Sequence, residues 1–188
     1  MSSNPLTNGD LPGMILPAGL PLNIHLLGLG GAGVSGAARI LKAMGKRVTG
    51  HDCAPSPMLS SLEGLGIPCS LGKSTDAHLP GDAAMVVRSA AVPDEDPQVQ
   101  AAYERGIPVL KYAELLGKLL PSNSGLGVAG THGKTTTSAM LAWILSQHQP
   151  IQAFLGGIAT NFNSNCRPGP AEVSVVEADE FGSIASRN

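Results

Sequence analysis

The stretch Gly130-Thr131-His132-Gly133-Lys134-Thr135-Thr136-Thr137 follows an apolar run, Leu126 to Ala129, and precedes a helix-like segment, Ser138 to Gln147. A strand that turns through glycines into a helix directs several backbone N–H groups, and the positive helix end, at one point. Such a point binds anions, and Gly-Lys-Thr in the turn indicates a nucleotide phosphate site. We expect Lys134 to contact the β- and γ-phosphates and the Thr135 hydroxyl to hold Mg²⁺. A glycine-rich turn with a solvated lysine is the alternative interpretation.

The composition favours an α/β protein with an aliphatic core. The chain has 188 residues, of which 43% are hydrophobic, but it holds only one Trp, two Tyr and three Phe. The core must therefore consist of Leu, Val, Ile and Ala, as in buried parallel sheets. A net charge of −2 without a basic stripe argues against nucleic acid as the main partner. The chain has no run of about 18 apolar residues, so we expect no membrane insertion. Cys53, Cys69 and Cys166 lack disulfide or zinc spacing, which favours a reducing cytoplasm.

Strand-like and helix-like segments alternate along the chain, which predicts βαβ units and a mainly parallel sheet. The predicted strands are Asn23–Leu27, Arg47–Gly50, Pro68–Leu71, Ala83–Val87, Ile107–Leu110, Leu126–Ala129, Ile151–Leu155 and Val173–Val176. The predicted helices are Val34–Met44, Pro55–Leu65, Pro97–Arg105, Ala113–Leu120 and Ser138–Gln147. We expect a flexible tail over residues 1–21, a Rossmann-like parallel-sheet domain over 22–120, a linker over 121–125, and the start of a P-loop α/β ATPase domain over 126–188.

A second glycine loop follows the first predicted strand. Gly28, Gly30 and Gly33 satisfy the G-x-G-x-x-G spacing, and Asp52 ends the second strand, where dinucleotide-binding folds place a ribose-binding acid. Taken alone, this arrangement favours NAD or FAD, although any diphosphate can bind at such a helix end. Glycines that serve only close packing between helix and sheet are the alternative.

Both loops resemble those of the Mur ligases, ATP-dependent enzymes that add amino acids to the peptidoglycan precursor. The form GTHGKTTT, with Val128 where the standard P-loop spacing has glycine, is similar to the phosphate loop of this family. The stretch His25 to Leu41 resembles the branch that adds the first amino acid, L-alanine, to UDP-N-acetylmuramate. The resemblance extends from residue 22 to about residue 181. It implies a UDP-sugar-binding first domain, and an acyl phosphate formed from the muramyl carboxylate and ATP before amide formation.

The resemblance also implies roles for particular residues. The implied UDP-sugar-binding residues are Gly28, Gly30, Gly31, Ala32, Gly33, Asp52, Ser89, Asn161 and Asn165. The implied ATP-binding residues are Gly130, Thr131, His132, Gly133, Lys134, Thr135 and Thr136, of which His132, Lys134 and Thr135 would act in catalysis. Arg88 stands beside Ser89 where the family usually has a serine. Simple turn residues are the alternative for Ser89, Asn161 and Asn165, and a loop-shaping role is the alternative for His132.

An acidic segment, Glu177-Ala178-Asp179-Glu180, follows the last predicted strand. Carboxylates at the carboxyl end of a strand beside a phosphate loop can hold Mg²⁺. The segment is similar to the family's Glu-Ala-Asp-Glu sequence, which implies that Glu177 is the Mg²⁺ ligand and that Asp179 and Glu180 surround it. A solvated acidic loop is the alternative.

Two further groups of residues have an expected place in the fold. Met140, Trp143 and Ile144 share helical spacing, which predicts that they pack in the core. His25 and His51 lie on the first two predicted strands and are candidates for the edge of the first site.

Several functions remain open at this stage. The chain departs from the family pattern after Phe181 and stops at Asn188, so we expect a truncated ligase without activity on its own. A ligase that attaches a recycled peptide to the same UDP-sugar is the nearest alternative. An NAD-dependent oxidoreductase built on Gly28 to Asp52, and a non-catalytic UDP-sugar-binding module, are the others. The oligomeric state is not indicated by the sequence.

Overall fold

A computed structural model describes residues 19–120, 125–170 and 172–177. Its strands are β1 (Asn23–Leu27), β2 (Arg47–Asp52), β3 (Cys69–Leu71), β4 (Met85–Arg88), β5 (Val109–Lys111), β6 (Gly125–Val128), β7 (Gln152–Ala159), β8 (Ser164–Arg167) and β9 (Ser174–Glu177). Its helices are α1 (Ala32–Ala43), α2 (Pro57–Glu63), α3 (Pro97–Glu104), α4 (Tyr112–Leu119) and α5 (Lys134–Ser146), with a short 3₁₀ turn at Asp76–His78. Most of the predicted tail (1–18), most of the predicted linker (121–124) and residues 178–188 lie outside the described residues. None of the described helices is long and apolar enough to cross a membrane.

The first sheet has the strand order β3-β2-β1-β4-β5, and all its neighbouring strands run parallel. The predicted α/β class with a Rossmann-like parallel sheet is therefore confirmed, since this is the order of a doubly wound fold. Leu27 is in register with His51 on one side and with Arg88 on the other. The segments that follow β1, β2 and β4 consequently meet at one edge of the sheet, where ligands bind in such folds.

Local sequence signals set the helix boundaries. Gly31 has an extended backbone immediately before α1, and Gly45, with φ of +77°, follows its carboxyl end. The Ser56 hydroxyl accepts a hydrogen bond from the Leu59 N–H and so caps α2. The Asp96 carboxylate caps α3 in the same way through the Gln98 N–H. These caps stabilise helix ends whose N–H groups have no partner within the helix.

The second sheet has the order β6-β9-β7-β8 and contains a strand that the sequence analysis missed. Strands β6, β9 and β7 are parallel, but β8 pairs with β7 in the antiparallel sense, with Phe154 opposite Cys166. The segment around β8 is polar, and its Asn161 and Asn165 were expected either to bind the UDP-sugar or to be simple turn residues. It forms a strand because residues about ten positions earlier in β7 supply the hydrogen-bond partners, which is a non-local effect.

Helix α1 lies between the two sheets, so the first sheet, which carries the first glycine loop, and the second sheet, which carries the second, share a core. Each residue from Val34 to Leu41 is buried. One cluster of buried apolar side chains joins residues of the first sheet and α1 to residues of the second sheet, namely Phe154, Cys166 and Val176. The two units are therefore packed against each other through apolar side chains.

The expectation that Met140, Trp143 and Ile144 pack in the core is wrong for the described part of the chain. Their side chains are 59%, 39% and 55% exposed, respectively. Helix α5 instead packs against its sheet through a side that includes Ser138 and Ala142, both fully buried. The helix is apolar on more than one side, so helical spacing alone did not identify the packed side.

A candidate active site between two glycine loops

The first glycine loop leaves the start of α1 open to a ligand. The Gly28 and Leu29 N–H groups both donate to the His51 carbonyl, and the Gly30 N–H donates to Asp52 Oδ2 at 2.7 Å. Gly31, at the N-cap, offers no side chain to the helix, and the first turn carries no acidic residue. Because the first N–H groups of a helix have no partner within it, those of the first turn, from Ala32 onward, are available to an anion.

Two glycines at this loop are needed for close approach. Gly28 has φ of +78°, and a Cβ there would lie 2.6 Å from the Ser89 hydroxyl oxygen. A Cβ on Gly33 would lie 2.8 Å from the Tyr112 ring. Ser89 thus sits against the loop, as its predicted role requires, although its hydroxyl also accepts a hydrogen bond from the Ala91 N–H.

Arg88 stabilises the segment that carries Ser89. Its guanidinium donates to the Val92 carbonyl and to Asp94 Oδ1, with the second contact at 2.6 Å. The side chain is buried whereas Asp94 is largely exposed. Arg88, at a position where the resemblance implies a serine, therefore stabilises the fold of this segment.

The second glycine loop forms a turn into α5. Gly130 has φ of +150°, and Gly133, at the N-cap of α5, has φ of +75°, a left-handed conformation that favours glycine. Lys134 Nζ donates to the Gly130 carbonyl at 2.7 Å, which closes the loop. His132 Nδ1 lies 3.3 Å from the hydroxyl of Thr131. Thr131, His132 and Thr136 are all exposed, so the predicted phosphate-binding residues surround an accessible turn.

Glu177 and the second loop meet in the structure. The Thr135 hydroxyl lies 3.3 Å from Glu177 Oε2, and the Gly156 N–H donates to Glu177 Oε1 at 2.7 Å. Adjacent ligands of an octahedral Mg²⁺, each about 2.1 Å from the ion, lie about 3 Å apart. The Thr135 hydroxyl oxygen and Glu177 Oε2, at 3.3 Å, therefore fit neighbouring coordination positions. No group of three or more metal-binding His, Cys, Asp or Glu side chains occurs among the described residues. A cation here would complete its shell with water and phosphate oxygens, as Mg²⁺ commonly does. The other two predicted acids, Asp179 and Glu180, lie outside the described residues.

A cavity of about 790 Å³ extends from the first glycine loop to Glu177, whose carboxylate contacts Thr135 beside the second loop. One side is formed by the start of α1 and by Ser89, and the other by Gly156 and Glu177. Lys111, Tyr112, Phe154 and Asn165 are also among the residues that line it. The site residues predicted from the sequence did not include Gly156 or the start of α4, although the Gly156-Gly157 pair directly follows the predicted strand Ile151–Leu155.

The two predicted asparagines occupy different environments. Asn165 is fully buried on β8, where its Nδ2 donates to the Ala32 carbonyl at 2.6 Å and to the Ser35 hydroxyl at 2.8 Å. Its amide nitrogen therefore binds the first turn of α1. Asn161 lies exposed in the turn between β7 and β8.

His25 and His51 do not line the cavity. His25 is buried, with Nε2 at 2.9 Å from Gln98 Oε1 and Nδ1 at 2.8 Å from the Thr49 hydroxyl. Desolvation lowers the pKa of His25 to about 4, since burial disfavours the charged imidazolium. Desolvation also lowers the pKa of His51, whose ring stacks on His78 with 4.6 Å between centroids. The side chains of both histidines are therefore used in buried polar contacts, and it is the His51 carbonyl that contacts the first glycine loop, through the Gly28 and Leu29 N–H groups.

Comparison with known proteins gives a consistent result. The family described as "Mur ligase family, catalytic domain" matches residues 23–123, which is more than half of the chain. A curated relative from Solidesulfovibrio magneticus, named UDP-N-acetylmuramate–L-alanine ligase, is 40% identical over 159 residues, covering 84% of this chain and 34% of the relative. The chain thus spans about a third of the length of the curated relatives it matches.

Solved structures agree with this match. UDP-N-acetylmuramate–alanine ligase from Thermotoga maritima superposes with a TM-score of 0.73 at 30% identity, over 82% of this chain and 36% of that one. A UDP-N-acetylmuramate:L-alanyl-γ-D-glutamyl-meso-diaminopimelate ligase from Neisseria meningitides gives a TM-score of 0.76 at 32% identity, over 85% of this chain and 53% of that one. The chain, with its doubly wound first sheet and its two glycine loops, belongs to the Mur ligase family.

Proposed function

We propose that this chain forms the UDP-sugar-binding and ATP-phosphate-binding parts of a ligase that joins L-alanine to UDP-N-acetylmuramate. Curated relatives about 40% identical to it carry that activity in their names. The three free cysteines, one exposed and none paired, are compatible with a reducing cytoplasm as its compartment. The oxidoreductase interpretation loses its support, because the family match covers the whole loop from Gly28 to Asp52 on which it rested.

The observation that carries the proposal is the cavity that runs from the first glycine loop to Glu177, the residue that contacts the second loop through Thr135. It is lined at one end by the start of α1, which carries no side-chain cap, and at the other by Glu177, beside the loop that precedes α5. A UDP-sugar with its diphosphate at α1 could extend its muramyl group along the cavity toward the second loop. Two reacting groups held in one cavity gain the advantage of proximity.

The proposed reaction has two steps. A muramyl carboxylate oxygen bonds to the γ-phosphorus of ATP while ADP leaves, and the alanine amine then bonds to the acyl carbon while phosphate leaves. Lys134 and the N–H groups at the start of α5 would bind phosphate oxygens and stabilise the charge that is transferred. Thr135 and Glu177 would hold Mg²⁺, which when bound neutralises phosphate charge. His132 lies in the same exposed loop, where we propose a contact with a phosphate or the muramyl carboxylate.

The diphosphate site is tested by placing a carboxylate at the N-cap of α1. Gly31 has an extended backbone that an N-cap aspartate readily adopts, and a Cβ there meets nothing closer than 3.4 Å. Gly31→Asp should raise the melting temperature, because aspartate caps helices and favours the positive end of the helix dipole. The same variant should weaken UDP-N-acetylmuramate binding at least about tenfold in calorimetry, since its charge repels a diphosphate.

Gly31→Asn is the matched control, because asparagine caps a helix without a negative charge. It should stabilise the fold to a similar extent while weakening UDP-N-acetylmuramate binding much less than the aspartate. If Gly31→Asp binds the sugar nucleotide as tightly as the wild-type chain, the diphosphate does not bind at α1 and the proposal fails.

A second candidate is a ligase that attaches a peptide to the same UDP-sugar. The Neisseria meningitides protein, whose name specifies such a peptide, gives the TM-score of 0.76 stated above. The two candidates share UDP-N-acetylmuramate and differ in the amine. In a chain that includes the remaining two thirds of the relatives' length, phosphate release stimulated by L-alanine supports the first candidate. Stimulation by L-alanyl-γ-D-glutamyl-meso-diaminopimelate and not by L-alanine would support the second.

A further inference from the structure

The Glu177 carboxylate is held asymmetrically by its neighbours. Oε1 lies 3.0 Å from the Ser138 hydroxyl and 2.7 Å from the Gly156 nitrogen. Among the residues that the structure describes, the hydrogen bond of Oε2 is a longer one of 3.3 Å, donated by the Thr135 hydroxyl. Oε1 thus accepts two hydrogen bonds from the protein, whereas Oε2 faces Thr135, the residue that is proposed to share the metal ion.

Ser138 contributes to this asymmetry from a fully buried position on α5. Its hydroxyl also lies 3.1 Å from the Thr135 carbonyl, the usual local acceptor for a serine within a helix. A hydroxyl has one proton and cannot donate to both acceptors at once. A carboxylate is charged and accepts more strongly than a carbonyl, so the proton is expected on the Glu177 side.

Gly156 limits the space available to the same carboxylate. A Cβ at this position would lie 2.5 Å from Glu177 Oε2 and 2.8 Å from its carboxyl carbon. The Glu177 side chain therefore lies directly against the bare backbone of β7. The hydroxyl, the backbone N–H and this contact together fix the plane of the carboxylate.

We propose that Ser138 is a positioning residue for the metal site: by holding Oε1 of Glu177, it presents Oε2 to the cation shared with Thr135. This inference rests on the proposed function, since it assumes that a divalent cation binds at Glu177. Residues that orient metal ligands in this way typically contribute about 10- to 100-fold to metal affinity. Ser138 itself would touch neither the metal nor the nucleotide.

The test measures the coupling between Mg²⁺ and nucleotide binding in the whole chain. The affinity of a non-hydrolysable ATP analogue is measured by calorimetry with and without Mg²⁺, and the ratio of the two dissociation constants gives the Mg²⁺ enhancement. Ser138→Ala should reduce this enhancement about tenfold or more, while the metal-free affinity stays within about twofold of wild type. A residue important only for folding would change both affinities together.

Matched variants make the result specific. Ser146 lies on the same helix, and its hydroxyl also donates to the carbonyl three residues earlier, but it lies away from Glu177. Ser146→Ala removes this hydroxyl. It should leave the enhancement unchanged. Ser138→Thr retains the hydroxyl and should retain most of the enhancement. If Ser138→Ala does not fold, Ser138→Cys, with a weaker donor of similar size, should give an intermediate enhancement.

The outcomes separate the two proposals. The positioning role is refuted, and the metal site stands, if Glu177→Gln lowers the Mg²⁺ enhancement but Ser138→Ala leaves it at the wild-type value. Ser138→Cys takes the place of Ser138→Ala in this comparison if the alanine variant does not fold. If Glu177→Gln itself has no effect, the proposed metal role of Glu177 is refuted, and the inference about Ser138 falls with it.

Discussion

The Asn165 side-chain nitrogen lies 2.6 Å from the Ala32 carbonyl oxygen, although 133 positions separate the two residues in the sequence. The same nitrogen lies 2.8 Å from the Ser35 hydroxyl, so one amide of the second sheet binds the first turn of the helix that carries the first glycine loop. Asn165 is one of the residues predicted from the sequence to bind the UDP-sugar. The structure adds a contact through which it can support that site without touching the ligand.

Replacing Asn165 with aspartate should destabilise the chain. The substitution keeps the size of the side chain but turns a donor into an acceptor that faces a carbonyl oxygen in a buried position. Loss of a buried hydrogen bond that leaves its partner unsatisfied costs about 1–3 kcal/mol, and more when a charge is involved. Urea unfolding monitored by circular dichroism measures this change. Asn161→Asp, in the exposed turn, should change the free energy of unfolding by less than about 0.5 kcal/mol, and equal effects of the two variants would contradict the assigned contact.

Replacing Lys134 with alanine should weaken triphosphate binding selectively. Lys134 Nζ donates to the neutral Gly130 carbonyl in this structure, and a phosphate oxygen is a stronger, charged acceptor. Loss of a hydrogen bond to a charged group costs about 1.5–3 kcal/mol, which corresponds to roughly 10- to 100-fold in affinity. Calorimetry with ATP and with inorganic tripolyphosphate should show this loss, whereas AMP, which lacks the β- and γ-phosphates, should show much less.

The control for this prediction is Lys118→Ala, which removes an exposed lysine from the last turn of α4. It has the same effect on net charge and should leave ATP and tripolyphosphate binding within about twofold of wild type. A similar loss for both lysines would mean that the overall charge of the chain, rather than the second loop, determines phosphate affinity.

The free energy of unfolding should decrease as the pH falls from about 6.5 to about 4. Burial lowers the pKa of His25 to about 4, whereas a histidine in the unfolded chain keeps an ordinary value of 6.5. Between these values the unfolded chain binds a proton that the folded chain does not, so acid favours unfolding. The resulting loss of stability is roughly 3 kcal/mol in total; it is complete below about pH 4 and absent above about pH 7. The lowered pKa of His51 acts in the same direction.

Urea unfolding of the wild-type chain and of His25→Gln at pH 7 and pH 4.5 tests this assignment. The decrease in stability between the two pH values should be about 2 kcal/mol smaller in the variant. His148→Gln, which changes an exposed histidine, should retain the full decrease. If His25→Gln retains it as well, His25 does not carry the acid sensitivity.

Features with a local cause were predictable from the sequence. Glycine loops that join a strand to a helix, and the alternation of strands and helices, predicted the doubly wound first sheet. The contact of Thr135 with Glu177, 42 residues apart, was expected from the acidic segment at the end of a strand and from the family resemblance. Strand β8 was missed because it depends on pairing with β7 and on packing against α1. The contact made by Ser138 could not be predicted for the same reason, because the Glu177 carboxylate that accepts its hydrogen bond lies 39 residues away.

The apolar cluster that joins α1 to Phe154, Cys166 and Val176 has a consequence for how the chain can be divided. Excision of residues 22–120 would expose to water the side of α1 that β7 and β8 cover. The domain boundary predicted from the sequence therefore does not separate two units that unfold independently. Heat or denaturant should melt both halves in a single transition. Packing of this kind also holds the starts of α1 and α5, the two helix ends proposed to bind phosphate, at a fixed separation.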